Sequence, residues 1–261
     1  MDNMNNIGLA FLLTTVAGLS TGIGSTIAFF IRNPKMYYLS FSLGLSGGVM
    51  IYISFMELLP EGINVIGELW GIIAFFVGFI FIGIIDRFIP EAENPHDFKE
   101  YSDNNINNKA NNRTLMRTGV LTALAIGIHN FPEGLAAFGT TLSNPKMGVM
   151  VALAIAIHNI PEGISVSVPI YYATGNRKKA FAYSFLSGLS EPVGAAIGFL
   201  ILLPFISTPF FSALLPFIAG IMVFISLDEL LPMAKKFGYG HIAIYGIATG
   251  MLIMALSLLM F

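Results

Sequence analysis

Long apolar runs separated by short polar connections make up most of this chain. A helix that crosses a lipid bilayer needs roughly 20 mostly apolar residues. Runs of about that length cover residues 7–31, 38–59, 67–86, 115–142, 147–173, 180–204, 210–232 and 241–261. The pattern predicts an all-α integral membrane protein, with residues 1–261 folded as a single domain of eight transmembrane helices.

The connections between the predicted helices are polar, and one of them is long. Residues 87–114 are rich in asparagine, which is typical of a flexible loop. Lys and Arg are enriched in cytoplasmic loops, and 12 of the 13 basic residues fall on the side of this loop. They are Arg32, Lys35, Arg87, Lys99, Lys109, Arg113, Arg117, Arg177, Lys178, Lys179, Lys235 and Lys236, and only Lys146 lies on the other side. We therefore expect a cytoplasmic loop and both termini outside.

The composition supports a multi-pass protein of the cell membrane. Hydrophobic residues make up 55% of the chain and charged residues 11%, against about 25% charged residues in ordinary soluble domains. Mean hydropathy is +0.77. Cysteine is absent, which excludes disulfides and thiolate metal ligands. We expect the protein to be embedded in the lipid bilayer, and we predict no nucleic-acid partner.

Two nearly identical polar boxes interrupt the fourth and fifth apolar runs. The first reads HNFPEG at residues 129–134, and the second reads HNIPEG at residues 158–163. Ionisable side chains within a span are costly and are usually functional. Within each box the His and the Glu are four positions apart, so they share one face of a helix. The candidate ligands are His129, Asn130, Glu133, His158, Asn159 and Glu162.

The chemistry of the boxes predicts a buried metal site. Two such faces turned toward each other offer two imidazoles, two carboxylates and two amides. Imidazole together with carboxylate suits Zn²⁺, Fe²⁺, Mn²⁺ and Co²⁺, whereas carboxylates alone would favour Mg²⁺ or Ca²⁺. With two Glu side chains available to bridge, the set could hold two ions.

Other residues within the spans extend the candidate site. Pro132 and Pro161 remove backbone hydrogen bonds, and we expect them to free carbonyl groups one turn earlier. Glu191, in the sixth run, is a further buried acid directly followed by proline. Met50 is a soft potential ligand, although packing is the commoner role of a methionine in an apolar helix.

The second and seventh runs repeat each other in a single frame, in which position 48 matches position 220. Residues 48–60 and 220–232 share Gly, Met, Ser, Glu, Leu-Leu and Pro in this frame. The two runs cross the predicted membrane in opposite directions, so the repeat is inverted, as in secondary transporters that alternate their access. We expect Glu57 near the outer mouth and Asp228 and Glu229 near the inner mouth. In chain order, the predicted bundle consists of three helices, then two central helices, then three more helices.

Four further polar residues have simpler interpretations. We interpret Glu61 and Glu68 as interfacial carboxylates, and His96 and His241 as solvated or interfacial residues without a role in the site.

Three function classes fit a buried metal site in a membrane. A transporter explains the inverted repeat and the carboxylates at both mouths. A membrane di-metal carboxylate enzyme would use Glu-x-x-His pairs, whereas this chain has the order His-x-x-x-Glu. A metal-gated channel could use the same residues without saturable transport. We therefore predict a transporter and not an enzyme.

The two boxes, together with SGLSEP at residues 187–192, resemble the ZIP family of divalent metal transporters and, within it, the bacterial ZupT-like branch. Further similar segments are residues 41–44, 48–60 and 226–235, and the resemblance extends over essentially the whole chain.

The resemblance implies uptake of zinc, with iron, manganese, cobalt and sometimes cadmium as further cargo, and homodimers in some members. It also implies an eight-helix 3+2+3 bundle around two metal ions and no separate cofactor. One ion would be held by Met50, His129, Glu133, His158 and Glu162. The second would use Asn130, Glu133, Asn159, Glu162 and Glu191. In some relatives Gln and Asp replace His158 and Asn159, so this chain offers the second ion one carboxylate fewer.

Overall fold

A computed structural model describes residues 2–30, 36–87, 109–202, 208–236 and 239–259, and within these ranges it is helical, with no β-strand. The helices are α1, Asp2–Phe30; α2, Met36–Ile53 continued by a π-helical turn Ser54–Leu58 and by Leu59–Ile66; α3, Glu68–Asp86; α4, Lys109–Ser143; α5, Pro145–Thr174; α6, in two parts, Arg177–Gly188 and Ser190–Leu202; α7, Thr208–Ile225 continued by a π-helical turn Ser226–Leu230 and by Leu231–Lys236; and α8, Gly240–Leu259.

The predicted apolar runs correspond to these helices, with some changes at their ends. α2 continues to Ile66, beyond the predicted end at residue 59. α4 begins at Lys109, so residues 109–114 are helical and not part of the predicted loop. The predictions for Arg32, Lys35, His96 and Lys99 lie outside the described residues.

Six helices within the described ranges are long and apolar enough to cross a membrane. They lie at Asn6–Ala28, Tyr37–Ile66, Glu68–Asp86, Pro145–Thr174, Ser212–Lys235 and Gly240–Leu259. The other two helices are α4 and the interrupted α6, which carry the first polar box and Glu191. The finding establishes a helical bundle suited to a membrane.

Proline explains where the regular helix is disturbed. Pro60 and Pro232 lack the N–H that would bond to the carbonyl four positions earlier. In both cases the preceding turn, Ser54–Leu58 or Ser226–Leu230, widens to a π-helix. Pro192 likewise cannot bond to Gly188, and α6 is interrupted there at Leu189.

The prolines of the two boxes behave differently. α4 and α5 remain helical across Pro132 and Pro161. Each proline removes one backbone hydrogen bond without ending the helix, because a helix can lose one hydrogen bond where packing holds both sides of it.

Packing places α4 and α5 at the centre of the bundle. They are joined through Asn144 alone, whose side chain accepts the Met147 N–H at 3.3 Å and caps α5. Such a short connection makes the two helices antiparallel neighbours. α1 packs on α5, α6 packs on α4, α2 packs on α8, and α3 packs on α7.

Glycine allows the outer helices to approach the boxes closely. A side chain at Gly24 of α1 would collide with the Ile160 backbone in the second box. A side chain at Gly194 of α6 would collide with the Phe131 backbone, at the equivalent position of the first box. Small residues let helix backbones meet in this way. The two boxes are thus packed closely against α1 and α6, which also contact each other at Gly18 and Gly188.

Candidate metal centre

The two boxes are paired across α4 and α5. His129 Nε2 lies 3.4 Å from Glu162 Oε2, and His158 Nε2 lies 3.1 Å from Glu133 Oε2. All four side chains are at most 1% exposed. Each imidazole therefore faces the carboxylate of the other box, and the structure brings together the His and Glu residues that the sequence predicted.

The two amides connect the boxes to α1 and α6. Asn159 Nδ2 donates to the Ala17 carbonyl at 3.0 Å and also to Glu191 Oε1. Asn130 Nδ2 donates to the Ser187 carbonyl at 3.4 Å. With their N–H groups used in this way, the amide oxygens of both Asn side chains remain available as acceptors.

Glu191 joins the cluster from α6. It lies in the first turn after the interruption at Leu189 and is fully buried. Its backbone touches Gly134 of the first box, where a side chain would collide with it. The structure thus places the third predicted acid beside both boxes.

α2 contributes a residue that the sequence analysis missed. The Ser46 hydroxyl lies 3.3 Å from Glu162 Oε1 and 3.4 Å from the His158 carbonyl oxygen, and it donates to them. Met50 is fully buried one turn later, on the same face of α2. The sequence offered little reason to choose Ser46, because a serine in an apolar helix usually bonds to its own backbone. The one signal was its position one turn before Met50, on the same face of the helix.

The residues predicted at the two mouths differ in their distance from the boxes. Glu229 Oε2 lies 4.0 Å from His129 Nδ1, and the Glu229 side chain is 21% exposed. Asp228 is exposed, and Glu57 is partly exposed with no ion pair to either imidazole among the described residues. The structure joins Glu229 to the cluster and leaves Asp228 and Glu57 apart from it.

Several buried polar atoms of the cluster have no hydrogen-bond partner within the described part of the chain. They are His129 Nδ1, Asn130 Oδ1, Glu133 Oε1, His158 Nδ1, Asn159 Oδ1 and Glu191 Oε2. An unpaired buried polar atom costs about 1–3 kcal/mol, so a fold rarely keeps six together without a ligand for them. All six can donate an electron pair to a metal ion.

The charges of the cluster also call for a cation. Three carboxylates, Glu133, Glu162 and Glu191, are fully buried beside two imidazoles. The buried polar residues of the described chain include no Lys or Arg. If all three carboxylates are ionised, one negative charge is left over even with both imidazoles protonated, and an uncompensated buried charge is strongly unfavourable.

The side chains are not yet arranged around a single point. Among the described residues, no group of three His, Asp or Glu side chains has the arrangement of a ligand set. Each imidazole is held by a carboxylate of the opposite box. Metal binding would exchange these two contacts for bonds to the ion.

The comparisons with known proteins agree on one family. The model of the family described as ZIP zinc transporter matches residues 90–258. Zinc transporter ZupT of Clostridium perfringens is 53% identical, and the match covers 100% of this chain and 98% of that protein. Zinc transporter ZupT of Oceanobacillus iheyensis is 54% identical, over 98% of this chain and 99% of that protein. The ZupT of Nitratidesulfovibrio vulgaris is 51% identical, and both chains are covered in full.

Proposed function

The chain belongs to the ZIP zinc transporter family, and from this premise we propose that it carries zinc into the cell through the cluster between α4 and α5. It is a multi-pass protein of the cell membrane. Its relatives are named as transporters, which argues against the alternative of a membrane di-metal enzyme.

The crosswise pairing of the boxes is the observation that carries the proposal. Two imidazoles and two carboxylates converge from separate helices in a fully buried position. A divalent cation would replace both ion pairs at once: the two imidazoles give up their protons when they bind it, and its two charges balance Glu133 and Glu162. Imidazole with carboxylate is a donor set for zinc and also for Fe²⁺, Mn²⁺ and Co²⁺. We propose these as further cargo.

For the ligands we propose the assignment implied by the family resemblance. One ion takes Met50, His129, Glu133, His158 and Glu162, and a second takes Asn130, Glu133, Asn159, Glu162 and Glu191. The free amide oxygens of Asn130 and Asn159 support the second set. For zinc, amide oxygens are weaker donors than imidazole nitrogens, so the second ion is held more weakly than the first.

We further propose eight spans in an inverted repeat with both termini outside. Contacts between helices support it, because they recur in the frame that matches position 48 with position 220. Gly48 meets the Ile247 backbone, and Gly220 meets the Phe75 backbone. Likewise, Gly250 meets the Leu45 backbone, and at the equivalent positions of the repeat Gly78 meets the Phe217 backbone. The two π-helical turns also begin at equivalent positions of the repeat, Ser54 and Ser226.

An asymmetry between the two halves supports alternating access. Glu57 and Glu229 are equivalent in the repeat, yet only Glu229 lies near an imidazole of the cluster within the described residues. Transporters with inverted repeats give their two halves different conformations in each state. We propose that Glu229 receives the ion from His129 on its way to the cytoplasm.

Uptake of radioactive zinc into proteoliposomes tests the function. Glu133→Ala and Glu162→Ala should each abolish saturable uptake, since each removes a ligand and leaves an imidazole without its partner. Glu68→Ala is the matched control, because Glu68 is an exposed carboxylate outside the cluster. Unchanged uptake in both cluster variants would contradict the assignment of Glu133 and Glu162 as zinc ligands. Flux that rises without saturation in the wild-type protein would favour a metal-gated channel.

A further inference from the structure

A polar cavity lies at one end of the bundle, away from the boxes. Its volume is about 190 Å³. It is formed where α2 and α4 end and where α5 and α7 begin, and its polar lining consists of Glu61, Thr140, Asn144 and Ser212. In the topology proposed above, this end faces the outside of the cell.

The lining contains a buried hydroxyl that has no partner. Thr140 is 3% exposed, and its Oγ1 has no hydrogen-bond partner among the described residues. Most threonines in apolar helices satisfy this group on their own backbone, as the next residue, Thr141, does with the Ala137 carbonyl at 2.6 Å. Thr140 lines the cavity, and its hydroxyl is left without such a bond, which indicates a polar occupant beside it.

The cavity lies in line with the boxes. Thr140 follows Glu133 on α4 by two helical turns, which is about 10 Å along the axis. Ala136 lies between them and lines the same cavity. On α2, Glu61 follows Glu57 by one turn. A cation entering the cavity therefore meets a carboxylate about two turns before it reaches the buried cluster.

We propose that this cavity is an outer binding site for a hydrated divalent cation. The Glu61 carboxylate supplies the negative charge. The hydroxyl oxygens of Thr140 and Ser212 accept hydrogen bonds from the water molecules bound to the ion. The proposal rests on the proposed function, because it places the site on the path of the carried ion. It gives Glu61 a role that the sequence analysis did not assign to it.

The volume of the cavity and its metal-coordinating atoms fit a hydrated ion and not a dehydrated one. A water molecule occupies about 30 Å³ in the liquid, so the cavity has room for an ion with several of its waters. The polar side chains of its lining offer oxygen ligands, which suit cations that keep their water. The imidazoles lie deeper, where the ion loses its water.

Uptake kinetics with Glu61→Gln test the proposal. We expect the KM for zinc to rise about three- to tenfold, since a carboxylate that concentrates cations at the entrance is lost, while Vmax stays close to that of the wild-type protein. Thr140→Val, which replaces the hydroxyl with a methyl group, should raise KM in the same direction. The control is Glu68→Gln, which removes an exposed carboxylate that does not line the cavity. Equal KM values for Glu61→Gln and Glu68→Gln overturn the proposal.

A binding measurement separates this proposal from the proposed function. Mn²⁺ is added to the detergent-solubilised Glu133→Ala/Glu162→Ala protein, and bound Mn²⁺ is followed by electron paramagnetic resonance. We expect weak binding of Mn²⁺ that keeps its water, and loss of that signal when Glu61→Gln is added. Binding that is absent, or that survives Glu61→Gln, contradicts the outer site whether or not the wild-type protein transports zinc.

Discussion

At the scale of single residues, the cluster depends on which side chain faces which. The spacing within each box suggests that a His would lie beside the Glu of its own helix. Instead His129 meets Glu162, and His158 meets Glu133. Removing one member of a buried pair leaves the other charge without compensation, at a cost of about 3–5 kcal/mol. Each pair therefore links α4 to α5 as well as preparing the ligands.

The Ser46 hydroxyl orients one of these ligands. We expect Ser46→Ala to raise the KM for zinc about threefold, because Glu162 Oε1 loses a hydrogen bond worth about 1 kcal/mol. Vmax should change little. The measurement is uptake into proteoliposomes over a range of zinc concentrations. Ser42→Ala is the control one turn earlier, since Ser42 donates to its own helix at the Leu39 carbonyl. A KM that is the same in both variants would show that Ser46 does not orient Glu162.

The sequence predicts the donors of the site but not their partners. The repeated boxes and Glu191 are recognisable because charged side chains stand out in apolar runs. The contacts of Ser46 and of Glu229 with the cluster depend on how α2 and α7 rotate against α4 and α5. That rotation is decided by packing between helices, which a single sequence does not record.

At the scale of helices, the same residue type has two different effects. The helix widens or is interrupted before Pro60, Pro192 and Pro232, yet it continues across Pro132 and Pro161. Around the second group, α1 and α6 press against the backbone of the two boxes. The sequence could therefore predict where the helices lie, but not which prolines disturb them.

The contact between α1 and α5 can be tested through two glycines of α1. Gly24→Ala places a methyl group against the Ile160 backbone, and we expect a lower melting temperature, because overpacking of this kind costs about 1–3 kcal/mol. Gly8→Ala is the control, since a side chain there meets no atom within 4 Å among the described residues. The melting temperatures of the purified variants are compared in one detergent. Equal stability of the two variants would contradict the close approach.

At the scale of the whole molecule, the two halves share a pattern of contacts but differ near the centre. The glycine contacts and π-helical turns recur at equivalent positions of the repeat, whereas of the described pair Glu57 and Glu229 only Glu229 lies near the boxes. The sequence predicted the repeat from residues 48–60 and 220–232. It could not predict the asymmetry, because equivalent residues read alike in the sequence whatever the conformation of each half.

The role proposed for Glu229 makes a kinetic prediction. Glu229→Gln should lower Vmax for zinc uptake about fivefold or more, because the ion loses a charged acceptor on the inner side. KM should change less, since entry occurs from the other side. Asp228→Asn is the matched control, because Asp228 is exposed and makes no ion pair with the boxes among the described residues. A fall in Vmax of equal size in both variants would indicate a general effect of charge at the inner mouth.

The central claim is that zinc is bound by imidazoles of both boxes. Zinc K-edge X-ray absorption of the purified, zinc-loaded protein measures this directly. We predict scattering from two imidazoles at about 2.0–2.1 Å, reduced to one in His158→Ala and unchanged in His241→Ala, whose altered residue is exposed. A spectrum without imidazole scattering, or one that is the same in His158→Ala and in the wild-type protein, would contradict the claim.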